Sequence, residues 1–275
     1  MDIRLSFEGD STINLIPSTR QFVQLDKVGW IATLTLSRPP VNALSQEMIG
    51  ELNQAVEALA VDETVSVVVV RSDQPHFCVG ADLKERQAVA PNQVASVVSA
   101  IRDCFQNLAE LPQPTIAAVN GSALGGGAEL ALACDLRVMD DDVRFGLSET
   151  SLGIIPGAGG SQRLPRLIGL SQAKELIFSA RTIEAEECLK LGLADRIVPA
   201  ARLHDAADSF ARELARNAPL ALRAAKEAIR KGMDLPLAEA LDVEARAYAK
   251  TIPTRDRVEG IKAFLEKRIP DWEGK

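Results

Sequence analysis

The sequence predicts an α/β fold built on a largely parallel sheet, followed by a purely helical C-terminal region. Three observations lead there. Val65–Arg71 ("VSVVVVR") and Thr115–Val119 ("TIAAV") are short, apolar and rich in β-branched residues, so they read as strands covered on both faces. Longer segments with apolar residues at helical spacing alternate with them, the pattern of a parallel sheet. Beyond "RIVP" no strand signal recurs, and the remaining chain is Ala-, Arg- and Glu-rich.

In chain order, Trp30–Leu36 ("WIATLTL") alternates and reads as a strand. Ser45–Ala60 carries Met48, Leu52, Val56 and Leu59 on one helical face. The strand at Val65 runs into a loop, "SDQPHFCVGAD". A helix is expected from about Asn92 to Leu111, with Val94, Val97, Val98, Ile101, Phe105 and Leu108 facing inward, and "LPQP" ends it. After "TIAAV" comes "NGSALGGGAELALACDL", Asn120–Leu136, a triple-glycine turn opening a short apolar helix, and then a strand at "DLRVM". The last three amphipathic helices are separated by Pro or Gly. This divides the chain into an α/β core, residues 1–200, and a helical region, 201–275, suited to self-association or to covering a site.

At 275 residues and 47% hydrophobic, the chain can bury a sizeable core. Its net charge of −7 speaks against a sequence-independent grip on nucleic acid. Between Ser45 and Val65 the chain holds Glu47, Glu51, Glu57, Asp62 and Glu63 without one Lys or Arg, and aromatic residues are only 4%, so no nucleic-acid face emerges. Cys78, Cys104, Cys134 and Cys188 form no C-x-x-C pair, and His76 and His204 supply no zinc spacing. No metal is expected, and the cysteines read as reduced, buried thiols. Asp2, Arg4, Glu8 and Asp10 break up the first twenty residues, so no signal peptide is read there, and the longest aliphatic run is too short to span a bilayer. The expectation is a soluble, cytoplasmic protein with no membrane partner.

No P-loop and no G-x-S-x-G elbow occurs, and "GAGGSQ" departs from G-x-G-x-x-G at its last position. Two histidines in ordinary contexts give no Ser-His-Asp triad. What stands out is Glu129, a lone carboxylate in an apolar run just after Gly125, Gly126 and Gly127. Glycines let backbone approach a ligand closely, and the free N–H groups of a helix start can hold a developing oxyanion, worth about 3–4 kcal/mol per donor. The alternative is a half-exposed first-turn glutamate that complements the helix dipole. "FCVGADLKE" (Phe77–Glu85) can present a second N–H, with Lys84 behind it, or be an ordinary strand exit. Glu149 lies twenty positions after Glu129, before a Gly- and Pro-rich turn. Two such carboxylates can hold one water as acid and base, or Glu149 can be a solvated loop residue.

Together, "LSRPPVNALS", "FCVGADLKE", "PTIAAVNGSALGGGAELALACDLRV", "SETSLGIIPGAGGSQRLPRLIG" and "DRVEGIKAFLEKR" resemble the crotonase, or enoyl-CoA hydratase/isomerase, superfamily in its own motif order, from about residue 25 to 268. "RSDQPHFCVGADLKER", "KELIFSAR" and "TIPTRDRVEG" resemble its methylglutaconyl-CoA hydratase branch. The resemblance implies a spiral of ββα turns with a C-terminal helical trimerisation region, assembled as a homo-hexamer of two trimers. It implies an acyl-CoA thioester substrate whose carbonyl oxygen is held by the N–H groups of Ala81 and Gly126. It implies hydration of a 2-enoyl-CoA, with Glu149 donating a proton to Cα and Glu129 activating and orienting the water. Many isomerases of the family keep only one of the two glutamates, so the pair favours a hydratase. Coenzyme A contacts carry over onto Val41, Ala43, Asp82, Leu83 and Lys84, and onto Phe264 and Lys267 from the C-terminal region, sometimes that of a neighbouring subunit. No cofactor is implied beyond the coenzyme A of the substrate. The acyl pocket is expected from Leu83–Gln106 and from residues near Leu147. The alternatives are a methylglutaconyl-CoA hydratase, whose substrate carries a distal carboxylate and needs a nearby cation, an enoyl-CoA isomerase and, outside enzymes, an RNA-binding protein.

Overall fold

The computed structural model describes residues 13–14 and 21–275; the signal-peptide reading of the first twenty residues therefore falls outside the described residues, save two. The elements run β1 (Ile13–Asn14), β2 (Val23–Val28), β3 (Ile31–Leu36), α1 (Gln46–Val61), β4 (Val67–Ser72), α2 (Leu83–Ala88), α3 (Val94–Ala109) and β5 (Thr115–Val119). They continue with β6 (Ser122–Leu124), α4 (Gly126–Ala133), β7 (Leu136–Asp140), β8 (Arg144–Gly146), α5 (Gly160–Ile168), α6 (Leu170–Ser179), β9 (Ile183–Glu184), α7 (Ala185–Lys190) and β10 (Arg196–Val198). Four helices close the chain: α8 (Leu203–Leu214), α9 (Pro219–Gly232), α10 (Leu237–Thr251) and α11 (Arg255–Glu266).

The main sheet has the order β1-β2-β3-β4-β5-β7-β10. Strands β1 to β3 pair antiparallel, and from β3 onward every pairing is parallel. The run Val67–Val70 explains itself here. Val68 and Val70 enter the larger core with Leu34, Leu52 and Phe105, while Val67 and Val69 meet Leu203, Ala207 and Phe210 on the other face. Both faces are covered, so no polar alternation is tolerated. The helix α8 supplies that second cover, packing on β4, β5 and β7.

Ser45 caps α1, its hydroxyl accepting from the Met48 N–H at 3.1 Å, and Met48, Leu52, Val56 and Leu59 are buried as their spacing predicts. Glu51 departs from the acidic-face reading. Its carboxylate is buried and accepts N–H bonds from Gln21, Phe22 and Val23 at 2.8–2.9 Å. On α3, Phe105 and Leu108 reach the core, whereas Val94, Val97, Val98 and Ile101 are only partly buried. The inward face expected for them is thus divided between core and cleft.

All four cysteines are buried and free, and burial pushes each thiol up to about 12. Arg223 and Lys226 fasten α9 to the body through the carbonyls of Asp62, Val65 and Gln113. Across α9–α11 and the turn between α9 and α10, Met233, Leu237, Tyr248, Val258 and Phe264 are exposed. Among the described residues no helix is long and apolar enough to cross a membrane.

Candidate active site

The small sheet β6-β8-β9 builds the site. Its parallel β6–β8 register pairs Leu124 with Gly146. That sets the start of α4 beside the turn carrying Glu149, so residues twenty apart in sequence meet. The loop after β4 is threaded between two segments. On one side the Cys78 N–H donates to Ser122, and the Leu124 N–H to Cys78. On the other, the Leu44 N–H donates to Gly80, and the Asp82 N–H to Leu44. Within this alternation the Ala81 N–H meets neither segment's carbonyls. Gly126 is the first residue of α4, whose opening amides have no intrahelical acceptor. Among the described residues neither the Ala81 nor the Gly126 N–H has an acceptor. A Cβ on Gly126 would stand 3.8 Å from the Ala81 nitrogen, and both residues line one cleft.

Two of the three glycines are required where they stand. Gly125 has φ +51°, and a Cβ on it would sit 3.2 Å from Glu149 Oε1. A Cβ on Gly127 would lie 1.9 Å from the Cys78 carbonyl oxygen.

Glu129 is 3% exposed, which excludes the half-exposed reading. Its Oε1 accepts from the Ala158 and Gly160 N–H groups, each at 2.8 Å, at the start of α5. Burial pushes its carboxyl up to about 7, and the Glu149 charge adds to the rise, while the two amides and Arg163 oppose it. Glu149 is half-buried, and its Oε2 is enclosed with no partner. Burial raises its pKa as well, opposed by its own backbone N–H and by the Arg86 charge. Both carboxyls are thus raised chiefly by burial.

The amides and both glutamates open on one cleft of ≈1110 Å³, walled by Val94, Val98 and Ile101 on α3 and by Leu152, Ile154 and Ile155 opposite. Ala43, Asp82, Leu83 and Lys84 line it, the last two exposed. Asp82 is already engaged. It caps α2 through the Lys84 and Glu85 N–H groups and pairs with Arg38 at 2.8 Å, which holds its carboxyl below the usual range. Val41 is outside the lining, its carbonyl accepting from the Val79 N–H. Leu147 itself is buried beneath Gly160, while its neighbours Ser148 and Glu149 line the cleft as expected. Phe264 is 83% exposed on α11, and neither it nor Lys267 reaches the cleft within one chain. Sequence reasoning missed the Ala158 and Gly160 amides, Arg163 and Arg86. The signal was present in "GAGG" before a helix, an anion cradle whose anion is the chain's own Glu129. Among the described residues no cluster of His, Cys, Asp or Glu is placed to hold a metal ion.

Two unengaged amides and two carboxyls around an apolar cleft are an arrangement that can polarise a carbonyl and move protons. The enoyl-CoA hydratase/isomerase family profile matches residues 27–275. Human mitochondrial methylglutaconyl-CoA hydratase is 50% identical over 238 residues, 85% of this chain and 70% of that protein. A probable mitochondrial enoyl-CoA hydratase 2 of Arabidopsis thaliana is 44% identical over 96% of this chain and 89% of its own. The crystal structure of an enoyl-CoA hydratase from Bacillus anthracis superposes with a TM-score of 0.91 at 43% identity, covering 93% of this chain and all of that one. The chain belongs to the enoyl-CoA hydratase/isomerase family and has the crotonase fold.

Proposed function

We propose that the protein is an enoyl-CoA hydratase, with Glu129 and Glu149 as catalytic residues and the Ala81 and Gly126 amides as its oxyanion hole. The observation that carries this reading is the convergence of a buried and a half-buried carboxyl on the cleft lined by two unengaged amides. With a flat 2-enoyl thioester in the cleft, the amides polarise the carbonyl and leave Cβ electron-poor. Glu129, whose ionised form is favoured by two N–H groups on Oε1, takes a proton from water as the water oxygen bonds to Cβ. Electron density moves onto the thioester oxygen and returns to Cα, which takes the proton from Glu149. Transfer from Glu129 to Glu149 restores the starting state. The unpartnered Glu149 Oε2 suits it to carry the proton.

Ala43, Leu83 and Lys84 supply contacts to coenzyme A, and no other cofactor takes part. The exposed apolar side chains of α9–α11 suit self-association, through which Phe264 and Lys267 would reach a neighbouring copy's site. Light scattering would give that assembly state; a hexamer is expected.

The test of the reaction is loss of the conjugated enoyl-thioester absorbance with crotonyl-CoA. Glu149→Gln and Glu129→Gln are each expected to lose at least about 10³-fold in turnover. Full activity in either variant would remove that glutamate from the mechanism. The 50% identity to a methylglutaconyl-CoA hydratase supports a second reading of the substrate, a branched acyl group ending in a carboxylate.

A further inference from the structure

Of the three cations that line the cleft, Arg38, Lys84 and Arg86, two have evident places. Arg38 is consumed by the Ala43 carbonyl at 2.7 Å and the Asp82 carboxylate at 2.8 Å. Lys84 is exposed. Arg86, in the middle of α2, is half-buried, and among the described residues its guanidinium has no carboxylate or carbonyl partner. The nearby acids do not serve it. Glu85 accepts from the Gln46 N–H and side-chain amide, and Asp103 pairs with Arg102. The side chains that share its cleft on α3 are Val94, Val98 and Ile101. A partly desolvated guanidinium against an apolar wall is costly unless an anion meets it, and its planar fork suits a carboxylate.

We propose that Arg86 determines acyl specificity: it binds a carboxylate at the far end of the acyl chain, so the preferred substrate is a dicarboxylic 2-enoyl thioester. This rests on the acyl-thioester reading of the cleft and adds the residue that would choose between a carboxylate-ended and a plain acyl chain. Position supports it. The thioester end is fixed at Ala81, and α2 carries Arg86 away from that amide along the same cleft. Arg86 also lines an adjoining pocket of ≈370 Å³ that shares Leu44, Ala81 and Ile101 with the cleft, room for a longer or branched acyl group.

The experiment has two arms. In the first, kcat/KM is measured for glutaconyl-CoA and crotonyl-CoA with the intact protein, Arg86→Met and Arg86→Lys. The ratio of the two substrates is expected to fall about 10- to 100-fold in Arg86→Met, with partial recovery in Arg86→Lys. In the second, calorimetry measures binding of glutaryl-CoA, butyryl-CoA and free coenzyme A, none of which can be hydrated. Selective loss of glutaryl-CoA affinity in Arg86→Met upholds the proposal even if the intact protein hydrates neither enoyl thioester, an outcome that would sink the hydratase reading alone. Equal loss for all three ligands would make Arg86 a coenzyme A contact and overturn the proposal. An unchanged glutaryl-to-butyryl ratio would overturn it too.

Discussion

Glu51 and Glu129 are both buried carboxylates that accept backbone N–H bonds, and they stand in opposite circumstances. Glu51 receives three donors spread over both oxygens, Gln21 on Oε1 and Phe22 and Val23 on Oε2, which ties the entry of β2 to α1. Glu129 receives two, both on Oε1. Its Oε2 has no partner among the described residues, and a second carboxyl stands close enough to raise its pKa. Burial alone therefore does not make a carboxylate reactive. A fully satisfied one is a fastening. One held by a single oxygen, beside a like charge, has its proton affinity raised.

The sharpest way to break that contrast is to neutralise each glutamate in turn. Glu129→Gln is expected to lose at least about 10³-fold in crotonyl-CoA hydration while remaining folded. Glu51→Gln places an amide against backbone donors and is expected to lose roughly 2–3 kcal/mol of stability, with turnover within about threefold of the parent. Urea unfolding beside the absorbance assay reads both. A Glu51 variant that is inactive yet fully stable would erase the distinction.

Next in size is Gly127→Ala. Its methyl group would fall 1.9 Å from the Cys78 carbonyl oxygen, so the loop bearing the Ala81 amide must move. The expectation is a loss of about 3 kcal/mol or more together with turnover. Normal hydration in this variant would mean that the loop has slack and that the two amides need not be fixed.

A third effect follows from the sign of the Glu129 shift. The carboxyl titrates near 7 in the folded chain against an ordinary value of 4.5. The folded state therefore binds the extra proton between those pH values. Its stability is fullest below about 4.5 and falls as pH rises through 7, by on the order of 3 kcal/mol. Glu129→Gln should escape that loss. Its stability advantage over the parent is expected to grow from pH 5 to pH 8, measured by urea unfolding at each pH. An advantage that is constant with pH would assign it to packing instead.

How legible this was depended on how local the cause was. The Val67–Val70 run and the α1 stripe could be read because two-sided burial and helical spacing leave their mark on contiguous residues. Glu51 could not, since its donors lie 28 to 30 residues upstream and an acidic helix face looks the same whether water or amides meet it. Val94, Val98 and Ile101 showed an apolar face, but spacing does not say whether protein or a ligand covers it. The short strands β6, β8 and β9 left almost no pattern, yet the β6–β8 register is what joins the two glutamates. Glu129 and Glu149 themselves were named from their glycine-rich settings and from family resemblance. That Ala158 and Gly160 hold Glu129 required the fold.

The smallest expected effect asks whether donor count is the whole difference between the two carboxylates or whether a field also acts. Arg163 touches Glu129 only indirectly. Its Nη1 donates to the Ala158 carbonyl at 2.9 Å and its Nη2 to Gln106 at 2.8 Å, while its charge opposes the rise of the Glu129 pKa. It is a positioning residue, acting through the loop, the field, or both. Arg163→Gln removes the charge, so Glu129 should hold its proton to higher pH. The limb of the pH–rate profile that needs the ionised form should then move alkaline by a fraction of a pH unit, with KM nearly unchanged. Arg163→Lys keeps the charge and loses the fork. If the loop matters, kcat falls in this variant while the limb stays in place. If the limb stays in place in both variants, burial, the two amides and the Glu149 carboxyl set the Glu129 proton. Glu129 would then differ from Glu51 only in how its donors are shared between two oxygens and in the carboxyl next to it.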